Sequence, residues 1–152
     1  MRIHLLTHVM TLAALVGSGL TSVNVHAAEP LRLASVFTDN AVLQRGQAVP
    51  VWGKGEPGQA VVVAFAGQEK SATVDKDGRW MTRLDALAAS AKGQTLTANS
   101  GREAVAIGNV LIGQVWVCSG QSNMAMTLRR CKRPEDIKTA DLPLIRQFWV
   151  GS

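Results

Sequence analysis

The sequence predicts two architectures in succession: an antiparallel β-sandwich over residues 28–112, then, over 113–152, the first βαβ unit of a truncated α/β domain. Three observations lead there. Between Leu31 and Ile112, short β-rich runs alternate with turn residues at the spacing of an all-β sandwich. After Gly113 the apolar residues lose that alternation. With 152 residues, 47% hydrophobic and 18% charged, the chain is neither collagen-like nor a charge-driven disordered sequence, and it holds one ordinary domain or a small one plus part of another.

Residues 1–27 read as a secretory signal peptide. Arg2 supplies a positive start, Met10 to Val16 is an apolar run too short to span a bilayer, and Val25-His26-Ala27 places small residues where a signal peptidase cuts. The mature protein is then expected in the periplasm or outside the cell, with no membrane span. His4, His8 and His26 are the only three histidines, so everything after His26 lacks imidazole. Chemistry that needs a histidine base must import it.

The strands of the sandwich are expected at Val49–Trp52, Ala60–Ala66, Ser71–Val74, Trp80–Leu84, Thr95–Ala98 and Ala104–Val110. Asp77-Gly78 and Ser100-Gly101 supply the positive-φ positions that tight turns need. Beyond Gly113, Gln114 to Cys118 is a hydrophobic run without alternation, as in a strand buried on both faces of a parallel sheet. A helical stretch follows from Asn123, with Met124, Leu128 and Cys131 at helical spacing. A second helix is expected from Pro134 to Ala140, with Pro in its first turn and Glu135 and Asp136 where the macrodipole favours acids. Leu144 to Val150 reads as the next buried strand. A sheet of two parallel strands cannot cover itself, so the chain is expected to stop part-way through that domain.

The net charge of +5 falls to +4 without Arg2, and the excess is local: Arg129, Arg130, Lys132, Arg133 and Lys138 cluster beside Glu135 and Asp136. No aromatic interleaving, helix-turn-helix spacing or zinc pattern accompanies them, so a solvated face is expected and no nucleic-acid partner. Cys118 and Cys131 leave a disulfide open in an oxidising compartment, while the apolar setting of Cys118 favours a buried thiol. Two cysteines and no mature histidine make a zinc site a poor reading. The four tryptophans, Trp52, Trp80, Trp116 and Trp149, lie in apolar runs and are expected to pack in a core, with stacking on sugar rings as the alternative.

The chemistry falls where the buried strand meets the following turn. A serine at the carboxyl end of a parallel strand stands where α/β folds place ligands, with outward N–H groups that favour an oxyanion. That suits Ser122 as a nucleophile with its own N–H as an oxyanion donor, and Gly120 omits a Cβ that would crowd an acyl group. The same position suits a helix N-cap, although a capping box would want Glu or Gln where Ala125 stands. Position alone leaves both roles open. The α/β-hydrolase elbow is not matched, because Met124 occupies its final glycine position.

The run from Val115 to Met124 (VWVCSGQSNM) closely resembles the nucleophile block of the sialate O-acetylesterase family, a branch of the SGNH (GDSL-like) hydrolases. The resemblance extends through Phe37–Gln44 (FTDNAVLQ), Val51-Trp52-Gly53, Pro57-Gly58, Asp77-Gly78-Arg79-Trp80 and Val110–Gly113, and downstream through Ala140–Arg146. It implies an exported esterase that removes O-acetyl groups from carbohydrates of the sialic acid class, with Ser122 as nucleophile and no metal or organic cofactor. It also implies a histidine base oriented by an aspartate, from a later D-x-x-H motif that these 152 residues do not contain. Gln121 stands where the wider group has Asp, and Gln121 and Asn123 either orient the nucleophile or substrate or bond the turn backbone. Three readings follow: the N-terminal portion of an esterase, inactive alone; a carbohydrate-binding or scaffolding β-sandwich with an incidental tail; and one half of a split esterase completed by another chain carrying the Asp and His.

Overall fold

The computed structural model describes residues 29–131 and 133–150, and the expected leader over residues 1–27 lies outside them. The chain folds mostly as strands. Eight follow in order: β1 (Arg32–Leu33), β2 (Val42–Gln44), β3 (Val49–Lys54), β4 (Ala60–Phe65), β5 (Gln68–Thr73), β6 (Arg79–Leu84), β7 (Ser90–Asn99) and β8 (Ala104–Gly113). They form a three-stranded sheet, β1-β3-β6, and a five-stranded sheet, β2-β8-β7-β4-β5. Neighbours pair antiparallel except β2 and β8, which run parallel with Val42 opposite Leu111.

Alternation explains the shared core. In β4, Val61, Val63 and Phe65 point inward while Val62 does not, and in β6 Trp80, Thr82 and Leu84 are buried between exposed neighbours. Apart from Thr82, these side chains join Val51, Leu96 and Val110 in one apolar cluster drawn from both sheets. Each Val or Leu buried there contributes roughly 1.5–3 kcal/mol. Trp80 also donates its Nε1–H to the Lys54 carbonyl at 3.0 Å, so its polar edge is satisfied. Trp52 packs edge-on against Phe37, with ring centroids 4.8 Å apart.

Close approach explains Gly53. A Cβ built there would lie 1.9 Å from the Arg32 carbonyl oxygen and 2.8 Å from the Trp80 ring, so only glycine lets β1 and Trp80 close over β3. The turn into β6 is tied by Asp75, whose Oδ1 accepts the Asp77 and Arg79 N–H groups at 2.9 Å, with Gly78 at φ +73°. The hydrogen bond from Arg79 N–H, ahead of the others, holds the Asp75 carboxyl below the ordinary aspartate value.

The region after β8 departs from expectation. Neither Gln114–Cys118 nor Leu144–Val150 forms a strand among the described residues, and the helical stretch from Asn123 is two short 3-10 turns, Ser122–Ala125 and Leu128–Cys131. Only α1 (Pro134–Lys138) forms a helix there, with Pro134 in its first turn as expected. The reason is pairing. A doubly buried strand needs hydrogen-bonded neighbours and covering layers, and a lone helical turn gains too few bonds to propagate. Lacking both, Trp116, Val117 and Trp149 stand 79%, 92% and 77% exposed, so two of the four tryptophans are not core residues. Cys118 likewise is an exposed free thiol instead of a buried one.

Candidate active site

Ser122 opens the first 3-10 turn. Gln121 occupies the N-cap position in extended conformation (φ −95°, ψ −164°), and its side chain makes no capping bond. Ser122 is therefore the first residue of the turn, and the cap belongs to its neighbour. The turn closes through Met124 N–H to the Gln121 carbonyl at 2.9 Å and Met126 N–H to the Asn123 carbonyl at 3.1 Å. A Cβ on Gly120 would meet Met124 Cγ at 3.0 Å, so this glycine lets the chain fold tightly onto Met124. Gly120, Gln121, Ser122 and Asn123 thus sit on one exposed turn.

That turn presents a hydroxyl and backbone N–H groups, which suit attack on an acyl carbon and support of an oxyanion. Among the described residues no imidazole accompanies them, because no residue after His26 is histidine. Among the described residues no three His, Cys, Asp or Glu side chains gather as a metal site would require. Arg129, Arg130, Arg133 and Lys138 of the basic cluster are exposed, and Arg133 pairs with Asp136 at 2.9 Å and Glu135 at 3.4 Å. Exposed pairs of this kind hold little energy.

Residues to which no role was assigned from sequence hold this segment against the β-strands. Gln44 Oε1 accepts the Val115 N–H at 2.8 Å, just after β8 ends. Arg146 donates from Nη1 to the carbonyls of Asn109 and, at 3.5 Å, Ala41, and from Nη2 to Asn109 Oδ1 at 3.2 Å. A groove of about 1240 Å³ lies between the Val36–Leu43 stretch, the start of the segment and residues 144–148, and Ser122 is not on its wall. The signal for these contacts was the Phe37–Gln44 motif, which carried the resemblance without a mechanical explanation.

Over 107 residues the chain is 36% identical to sialate O-acetylesterase of Homo sapiens, covering 64% of this chain and 20% of that protein. The Mus musculus sialate O-acetylesterase matches with the same identity and coverage, again 36% over 107 residues. The crystal structure of a carbohydrate acetylesterase from Xanthomonas citri superposes with a TM-score of 0.70 at 34% identity, covering 74% of this chain and 26% of that one. No family model matches the chain. The chain therefore spans about a fifth (20%) of the length of the curated relatives it matches.

Proposed function

We propose that the chain is a member of the sialate O-acetylesterase family, of whose human protein it spans 20%, and that it carries the β-strand body and nucleophile segment of an exported carbohydrate O-acetylesterase. The substrate class is an O-acetylated sugar of the sialic acid type. Ser122 Oγ attacks the acetyl carbonyl, its proton passes to a histidine, and the carbonyl oxygen takes up negative charge against the Ser122 N–H. Collapse of the tetrahedral species breaks the bond to the sugar oxygen, which leaves with that proton. Water then attacks the acetyl-serine and releases acetate.

One observation supports this reading above the rest. Ser122 stands exposed as the first residue of a tight turn, directly after the glycine that permits the turn, in a chain related to esterases. Residues 28–152 contain no histidine, so on this reading they hold the nucleophile without its base. In the complete catalytic domain, Gln114–Cys118 and Leu144–Val150 become the two strands of a βαβ unit beside the strand sandwich. The exposure of Trp116, Val117 and Trp149 supports that completion, whether the covering layers belong to the same polypeptide or to a complementing one. The leader over residues 1–27 directs the protein to the periplasm or the exterior.

Hydrolysis of 4-nitrophenyl acetate tests the reading in two arms. Residues 28–152 are expected to give no turnover above buffer, and turnover abolished by Ser122→Ala would refute the missing base. Joined to the remaining residues of the Xanthomonas citri enzyme, the chain is expected to hydrolyse the ester, with Ser122→Ala lowering kcat at least about 1000-fold. Equal activity of that variant would remove Ser122 from the mechanism.

A further inference from the structure

We propose that Gln44, Asn109 and Arg146 form a two-point clasp that fixes both ends of the segment bearing Ser122, with Arg146 as its principal positioning residue. The proposal rests on the reading of Ser122 as the nucleophile and adds what holds it in place. None of the residues from Val115 to Arg146 whose burial is described is buried, so the segment's place on the protein is set largely by what grips its ends. Gln44 grips the first end through the Val115 N–H at 2.8 Å. Arg146 grips the second, reaching 105 positions back to the Ala41 carbonyl and 37 back to Asn109. It is the one residue of 141–150 that is half-buried, the others being exposed.

The receiving side is built for this. Asn40 and Asn109 both hold left-handed backbone, at φ +66° and +54°, a conformation Asn tolerates better than most residues. Asn109 Nδ2 donates to Asn40 Oδ1 at 2.7 Å, Asp39 Oδ1 accepts the Gly108 N–H at 2.6 Å, and Asn40 N–H donates to the Gly108 carbonyl at 3.0 Å. Gly93 leaves room for it, since a Cβ there would lie 2.2 Å from Asn109 Oδ1. Two strained asparagines tied to each other thereby aim a carbonyl and a side-chain oxygen at one guanidinium. Arginine suits the task because its planar fork donates to several oxygens at once, which a lysine ammonium cannot match in geometry.

A nitroxide on Cys118, in a Cys131→Ser background of the full chain, reads the segment between the first grip and Ser122. Arg146→Gln is expected to sharpen the nitroxide spectrum and raise the rate of chymotryptic cleavage after Trp116 about tenfold, leaving the melting midpoint of the strands within a few degrees. Arg146→Lys should restore part of the restraint, because it keeps the charge but loses the fork. Unchanged mobility in Arg146→Gln would overturn the proposal. So would equal loosening of strands and segment, which would make Arg146 a general fold residue. Neither readout involves turnover, so an active Ser122→Ala chimera would refute the nucleophile and leave the clasp standing.

Discussion

Val51 and Val117 are the same side chain in opposite circumstances: the first is 0% exposed in β3, the second 92% exposed three residues after the Gly113–Gln114 boundary is passed. Both lie in short apolar runs with a tryptophan beside them. The difference is the neighbours. Val51 has β6 on one edge and the opposite sheet across the core, whereas the residues around Val117 have no strand to pair with among those described. An apolar run specifies a buried strand only where other elements complete the sheet.

Breaking the contrast from the core side gives the largest effects. Trp80→Ala empties the centre of the cluster and removes the bond to the Lys54 carbonyl, and should lower unfolding free energy by about 3–5 kcal/mol in urea melts. Gly53→Ala follows, at about 1–3 kcal/mol or more, because the new Cβ meets the Arg32 backbone and cannot be relieved by a rotamer change. In the other region Trp149→Ala should change the same melts by less than about 0.5 kcal/mol, despite removing the same ring. A loss comparable to that of Trp80→Ala would show that the C-terminal segment shares the core.

The smallest effect is one of pH. Asp75 has a depressed pKa in the folded chain, so its contribution is present above the ordinary aspartate value and is lost as pH falls through the depressed one, below about pH 4. Asp75→Asn should flatten that part of the stability profile by lowering stability at neutral pH towards the acid value. An acid limb as steep as the parent's would assign the acid loss to other carboxylates, with Glu29, held down chiefly by its bond to Arg32, next in line.

The strands were legible because their signal is local. The β-rich runs at Ala60–Phe65 and Arg79–Leu84, and turn residues at Asp77-Gly78, state where strands form and where the chain reverses. The strands expected after Gly113 do not form among the described residues, because a run such as Gln114–Cys118 reports only its own hydrophobicity, and the partners that would make it a strand are not local. Of the candidate site, the tight turn at Gly120–Asn123 could be read from glycine and position, but the grips of Gln44 and Arg146 could not. Those contacts join residues 71 and 105 positions apart, through side chains whose types have many other uses.

Hydrogen exchange resolved by residue, on the intact chain, tests the division between the two regions most directly. Amides of β3, β4, β6 and β7 should exchange only through global unfolding, while those of residues 116–145 exchange orders of magnitude faster, with the grips at Val115 and Arg146 marking the change. Equal protection across strands and segment would contradict it, and would mean that the residues around Ser122 have a core of their own.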